Sequence, residues 1–188
     1  MSNNKHTDIL VIGSGPGGYA AAFRAADLGR EVTLVDKDPT LGGVCLNRGC
    51  IPSKTLLHIS KVLEEAESLK KMGVTFTKPT IDIDLVRDWK NKVVSQLSGG
   101  IGQMAKARKV NTIQAVATFL SDNEVQLKSE SSTEKITFDH CIIASGSSST
   151  IIPGIPFDNE NVLTSKTALD LEKIPKSLLV IGGGYIGL

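Results

Sequence analysis

The spacing of apolar positions changes several times along the chain, and each change marks an element. Asp8–Ile12 (Asp-Ile-Leu-Val-Ile) is a short continuous apolar run, the pattern of a strand buried on both faces. It ends in Gly13-Ser14-Gly15-Pro16-Gly17-Gly18. An Ala-rich stretch, Tyr19–Leu28, follows with helical character, and Gly29 is its stop signal. Glu31–Asp36 repeats the buried-strand pattern. Strand, glycine turn, helix and strand make a βαβ unit, so the sheet is expected to be parallel.

Further on, Pro52 can open a second helix through its preset backbone angle. Leu56, Ile59, Leu63 and Ala66 recur at helical spacing, and Gly73 follows. A third helix is predicted from Ile83 to Lys109, with Val86, Trp89, Val93, Leu97, Ile101 and Met104 on one stripe. Gly99, Gly100 and Gly102 lie inside it; each costs about 1 kcal/mol against Ala, which predicts a bend or break. From Val110 the period becomes two. Thr112–Leu120, Glu124–Lys128 and Lys135–Phe138 read as a small antiparallel meander joined by polar turns such as Ser121-Asp122-Asn123. Cys141–Ser145 reads as another fully buried strand. Pro153, Pro156 and Pro175 punctuate a connecting stretch, and Ser177–Ile181 begins one more apolar strand. That strand leads into Gly182-Gly183-Gly184-Tyr185-Ile186-Gly187, so the strand-plus-glycine pattern of Ile9–Gly18 occurs twice.

Composition narrows the class. The 188 residues are 40% hydrophobic and 22% charged, which excludes a wholly disordered or collagen-like chain. Twenty-one basic against 20 acidic residues leave +1, no electrostatic footprint for nucleic acid or an anionic membrane. Ile9–Ile12 is too short to span a bilayer, and residues 1–7 lack the apolar core of a signal peptide. Three cysteines, Cys45, Cys50 and Cys141, argue against a secreted disulfide scaffold, so the cytoplasm is the expected compartment.

Two motifs carry chemistry. In Gly13-x-Gly15-x-x-Gly18, Gly13 permits a tight turn, Gly15 lets backbone approach a pyrophosphate, and Gly18 lets the helix pack close to the strand. The positive helix end faces the phosphates. Asp36, ending the next strand, can accept hydrogen bonds from the ribose hydroxyls. The second motif is Gly42-Gly43-Val44-Cys45-Leu46-Asn47-Arg48-Gly49-Cys50-Ile51-Pro52-Ser53-Lys54. Two cysteines five apart can close a small disulfide if the backbone between them forms an irregular helical turn. A thiolate at a helix N-terminus is stabilised and can exchange with another disulfide. Two thiolates without further Cys or well-placed His do not complete a zinc tetrahedron, so no metal site is expected. Spacing alone leaves two unrelated reduced thiols even with the redox reading.

On these motifs the whole chain resembles the N-terminal part of the pyridine nucleotide–disulfide oxidoreductases. Gly42–Lys54 matches their active-site motif. Asp82–Val110, with Arg87-Asp-Trp-Lys and Gln96-Leu-Ser-Gly-Gly, resembles the bacterial dihydrolipoyl dehydrogenases among them. The cysteine pair separates the chain from soluble transhydrogenases, and Ser53 from glutathione reductases; mercuric reductases share a similar cysteine motif. The resemblance implies an FAD-binding, Rossmann-like three-layer α/β domain over 1–150 with a parallel sheet and a small antiparallel meander. A connecting segment, 151–176, and the truncated start of an NAD-binding domain, 177–188, would follow. It implies that Cys45 and Cys50 form a redox disulfide, Cys45 exchanging with substrate dithiol and Cys50 nearer the flavin. It implies FAD contacts from Gly13, Gly15, Gly18, Asp36, Lys37, Gly43, Val44, Lys54, Ala117, Ser145 and Gly146, and NAD contacts from Gly182, Gly184 and Gly187.

The implied activity is oxidation of protein-bound dihydrolipoamide with NAD⁺ as acceptor. The implied partners are a lipoyl domain of a 2-oxo acid dehydrogenase complex and a second copy in a homodimeric parent. The histidine–glutamate pair that takes the substrate proton would come from a later domain of the partner subunit. On that view the chain is a fragment, incompetent alone for full turnover. A non-catalytic flavin-binding module is the alternative. Ala117 stands where the family usually has Gly, which is compatible with a backbone contact only if its dihedral is ordinary. Ser147-Ser148-Ser149 replaces an Arg-Pro-like turn and reads as loop variation. Arg48 reads as a solvated charge, His58 as an exposed or core-edge residue, Cys141 as an inert buried thiol, and Trp89 and Met104 as core.

Overall fold

The computed structural model describes residues 5–187, which form two compact units. One is built from the chain up to Asn47 and from Ser95–Ser147; the other from Arg48–Val94 and the chain from Ser148 onward.

The first unit contains a six-stranded mixed sheet. Its strands are β1 (Lys5–Ile12), β2 (Val32–Asp36), β3 (Asn111–Gln114), β4 (Val116–Ser121), β5 (Glu124–Lys128) and β6 (Thr133–Ile143), in the order β3-β2-β1-β6-β5-β4. β1 is parallel to both β2 and β6, and β2 to β3; β4, β5 and β6 are antiparallel. Helix α1 (Pro16–Asp27) makes the crossover from β1 to β2. Consecutive side chains on a strand point to opposite faces. Leu10 and Val35 therefore enter one cluster, with Val125, Leu127, Ile136 and Phe138 of the meander. Val11 and Leu34 enter the other, with Ala22 and Phe23 of α1 and Ala105. Helices, parallel strands and meander thus make the three layers expected.

β6 holds the arrangement together. Its N-terminal part pairs with β5 and most of its length with β1, where Leu10 lies opposite Cys141 and Ile12 opposite Ile143. The expected fully buried strand at Cys141–Ser145 is instead the tail of β6. It ends at Ile143, which is 66% exposed because the register places it in the last row of the sheet. The predicted single strand Thr112–Leu120 is two, divided at Ala115. That residue is buried and donates its N–H to the Asp36 carbonyl at 2.8 Å, the last rung of the β2–β3 pair, after which β4 pairs with β5.

Helix α2 (Gly43–Arg48) lies in this unit's first segment up to Asn47, and α3 (Cys50–Ser68) is the first helix wholly within the second unit. Pro52 sits in the first turn of α3, where its missing N–H leaves no partner unsatisfied. Helix α4 (Ile83–Ala107) runs 25 residues without the break that its glycines predict. Packing of Ile101 and Ala105 against the α1-side cluster outweighs the propensity cost. Trp89 and Met104, expected in the core, are exposed. In the second unit, Thr164 caps α5 (Ser165–Asp170). Arg87 donates to the carbonyls of Leu171 and Glu172, and buried Lys90 to that of Leu169 at 2.6 Å. Ser177–Ile181 forms no strand, since a strand needs a partner to fill its ladder. Its apolar side chains are exposed, Leu179 by 84%. No helix among the described residues is long and apolar enough to cross a membrane.

The burial contrast gives a test. Leu10→Ala, at a residue with no exposed surface, is expected to cost about 2–5 kcal/mol. Leu179→Ala should stay within about 0.5 kcal/mol of the parent. Urea denaturation of both variants measures the difference.

Candidate functional site

At the carboxyl ends of the parallel strands the chain is stitched backbone to backbone. Gly13 donates its N–H to the Val35 carbonyl and Ala144 donates to that of Ile12, each at 2.7 Å. Gly13 has φ of +101°, and a Cβ on it would overlap the Ala144 carbonyl oxygen. A Cβ on Gly18 would overlap the Gly13 oxygen in turn. Helix α1 starts behind Gly15 with Pro16 in its first turn, no side-chain cap and no acidic residue there. Its leading N–H groups are presented to whatever approaches the turn, the arrangement that binds phosphate.

A second loop closes on the first. Gly42 donates its N–H to the Ser14 carbonyl at 2.9 Å. A Cβ on Gly43 would come within 2.5 Å of the Gly15 Cα, so the loops meet only because Gly43 lacks a side chain. Gly15 itself is different. Its φ is an ordinary −66°, and a Cβ there would meet nothing closer than the Gly43 Cα at 3.9 Å. The fold therefore has room for a methyl at Gly15.

Asp36 ends β2 beside this turn. Its carboxylate accepts the Ser14 N–H and the Ser14 hydroxyl, both at 2.6 Å, and the Asp38 N–H at 2.9 Å. Burial pushes the Asp36 carboxyl up, but these hydrogen bonds and the Lys37 charge outweigh it and hold the group below its ordinary 3.8. An open cavity of about 830 Å³ begins at Asp36 and is lined also by Thr40, Leu41, Gly99, Gly102 and Lys106. Two of the three glycines that were expected to break α4, Gly99 and Gly102, form part of its wall.

Cys45 and Cys50 are joined in a disulfide, and both are partly exposed. In an unbroken helix, residues five apart lie about 140° around the axis from each other, which keeps their sulfurs apart. The helix is broken between α2 and α3 at Gly49, with φ −144° and ψ −100°, which is the irregular turn the bond requires. Cys50 is the first residue of a 19-residue helix with no acidic residue in its first turn, so the helix end favours an anionic sulfur there. Cys141, the remaining cysteine, is free and half-buried, and burial pushes its thiol up.

Comparison with known proteins identifies the family. The family profile described as pyridine nucleotide-disulphide oxidoreductase matches residues 7–188. The chain belongs to this family. It is 47% identical over its whole length to a dihydrolipoyl dehydrogenase of Vibrio cholerae and 49% identical over 181 residues to one of Bacillus subtilis. It spans about 40% of the length of the first relative and 38% of the second. Among solved structures it is similar to a copper(II) complex of a cysteine-to-serine mutant of RclA, the HOCl-induced flavoprotein disulfide reductase of Escherichia coli. That match has a TM-score of 0.80 at 27% identity and covers 98% of this chain and 38% of that one.

The other sequence-predicted positions of this family member fall as follows. Val44, Lys37, Ser145 and Gly146 are exposed near the ends of their strands or helices. Ala117 lies in β4 without a positive φ, and its methyl packs against the meander cluster. The backbone condition for replacing Gly there is met. Lys54 is exposed on α3, one turn beyond Cys50, and His58 is exposed as well. The Gly182–Gly187 turn reproduces the first motif: Gly182 has φ of +106°, and a Cβ on Gly187 would overlap the Gly182 oxygen. Sequence reasoning missed Ser14. Its only signal was a hydroxyl residue inside the glycine motif. One group of potential metal ligands occurs among the described residues, His6, Asp8 and Asp139, on the β1 and β6 surface away from the glycine turn.

Two outcomes are expected. Denatured without reductant, the chain should show one titratable thiol, Cys141, and after reduction three, because Cys45 and Cys50 are bonded. Because the Asp36 pKa is depressed in the fold, its contribution to stability is fully present above about 3.8 and is lost as pH falls through the lower folded value. Urea midpoints measured between pH 5 and 3 should therefore fall less steeply for Asp36→Asn than for the parent.

Proposed function

We propose that the chain is the FAD-binding, redox-disulfide portion of a dihydrolipoyl dehydrogenase. In this reading Cys45 and Cys50 take two electrons from protein-bound dihydrolipoamide and pass them by way of FAD to NAD⁺. One observation carries it. Helix α2 begins at Gly43, pressed against Gly15 of the phosphate-type turn, and presents the bonded Cys45 less than one turn later. A dinucleotide cradle and a redox disulfide are thus fixed to one short element.

The residues present suit FAD. Gly13, Gly15, Gly18 and the start of α1 would receive the pyrophosphate, and Asp36 and Lys37 the adenosine end. The backbone of Gly43, Val44, Ala117, Ser145 and Gly146 would line the remainder. Lys54 would place a cation where negative charge gathers on the reduced ring. When bound, FAD would supply the two-electron relay between dithiol and nicotinamide. Gly182, Gly184 and Gly187 would begin the NAD site.

The chain's own chemistry is thiol–disulfide exchange. One thiolate of the substrate attacks the Cys45 sulfur, the Cys45–Cys50 bond breaks, and Cys50 leaves as a thiolate at the α3 N-terminus. The second substrate thiol gives up its proton, attacks its neighbour in the mixed disulfide and releases Cys45. Substrate becomes a cyclic disulfide, and the cysteine pair holds the two electrons. The partners in this reading are a lipoyl domain of a 2-oxo acid dehydrogenase complex and a second copy of the parent, in the cytoplasm.

The test separates ligand from fold. The parent is expected to bind FAD with a visible flavin spectrum and to bleach under excess dihydrolipoamide without oxygen. Gly15→Ala should keep the urea midpoint yet weaken FAD binding by about ten-fold or more, since its methyl fills only the ligand's approach. Cys50→Ser should bind FAD and fail to bleach. A parent that binds no FAD, or a Cys50→Ser variant that bleaches like the parent, would refute the proposal.

A further inference from the structure

Ser14 lies inside the glycine motif with no exposed surface. Nothing about phosphate binding calls for a hydroxyl there, yet both of its donors are aimed at one target. Its N–H and its Oγ each reach Asp36 Oδ2 at 2.6 Å. The other carboxylate oxygen, Oδ1, accepts the Asp38 N–H at 2.9 Å.

An ionised carboxylate offers about four acceptor positions, two on each oxygen. The two Ser14 donors fill Oδ2, and Asp38 takes one position on Oδ1. One position remains, on Oδ1. A carboxylate with both oxygens open could take a vicinal diol with one hydroxyl on each. Here one oxygen is already saturated from within the protein, and the clamp stops the group from rotating to exchange the two.

From this we infer that Asp36 reads a single ribose hydroxyl through Oδ1, and that Ser14 is the positioning residue that fixes which oxygen is offered. The inference rests on the flavin reading above and adds to it the number of hydroxyls recognised and the residue that sets that number. The depressed pKa of Asp36 fits the same geometry, because donors converging on the carboxylate favour its charged form. If Ser14 served only to tie the ends of β1 and β2 together, the ribose hydroxyls would be indifferent to it.

The experiment measures calorimetric binding of ADP, 2′-deoxy-ADP and 3′-deoxy-ADP to the full chain freed of nucleotide, with FAD binding as a separate arm. In the parent, one deoxy analogue is expected to bind about ten-fold or more weakly than ADP, the loss of one hydrogen bond to a charged acceptor, and the other within about three-fold. In Ser14→Ala, with Ser14→Gly as a second variant should the first misfold, the penalty for the sensitive analogue should shrink to under about three-fold. Equal penalties for both analogues in the parent overturn the single-acceptor assignment. Uniform weakening in the variants, with the analogue ratio retained, overturns the positioning role and leaves a structural one. If FAD binds and either of those results is found, the flavin reading stands and this inference alone fails. If neither FAD nor ADP binds, both fail together.

Discussion

Everything at the candidate site depends on backbone meeting backbone with no side chain between. Gly18 touches the Gly13 carbonyl, Gly13 touches that of Ala144, and Gly43 touches Gly15. These approaches put the start of α1, the end of β6 and the start of α2 within one small volume. Each would be closed by a single Cβ. The remaining chemistry is hung on that junction: Asp36 is oriented by Ser14 from inside it, and Cys45 is carried out of it on α2.

The sheet is arranged so that this junction can exist. β6 pairs with β1 along one edge and with β5 along the other, which unites the parallel layer and the meander in a single sheet. Leu10 and Val11, adjacent in sequence, serve the cores on opposite faces. The carboxyl ends of β1, β2 and β6 are thereby brought level where the glycine turn leaves the sheet. Such ends of parallel strands are where ligands gather in open α/β sheets.

Much of this was legible in the sequence because it is local. The glycine spacing, the buried run before it and Asp36 at the end of the next strand specify the turn within about 30 residues, the length of a βαβ unit. What escaped depends on distant partners. The division of Thr112–Leu120 at Ala115 follows from its two halves pairing with different strands, β2 and β5, which periodicity cannot see. The straight passage of α4 through Gly99–Gly102 requires the core that Ile101 and Ala105 enter. The exposure of Ile143 follows from its register against Ile12. Ser14 was hidden for a different reason. Its position in the motif is one where many residues fit, so its hydroxyl acquires meaning only from the 2.6 Å contact to Asp36.

The turn at Gly182–Gly187 has the shape of the one at Gly13–Gly18: the first glycine of each has a positive φ, and a Cβ on the last glycine of each would overlap the oxygen of the first. In both turns that close contact lies within the six residues of the motif. Closing so short a loop costs little chain entropy and takes well under a microsecond. Pairing Ile9 with His140 must wait for most of the chain to be gathered. On loop length alone, the glycine turn is expected to close before the sheet pairs. The sheet bonds from Gly13 to Val35 and from Ala144 to Ile12 then fix it in place.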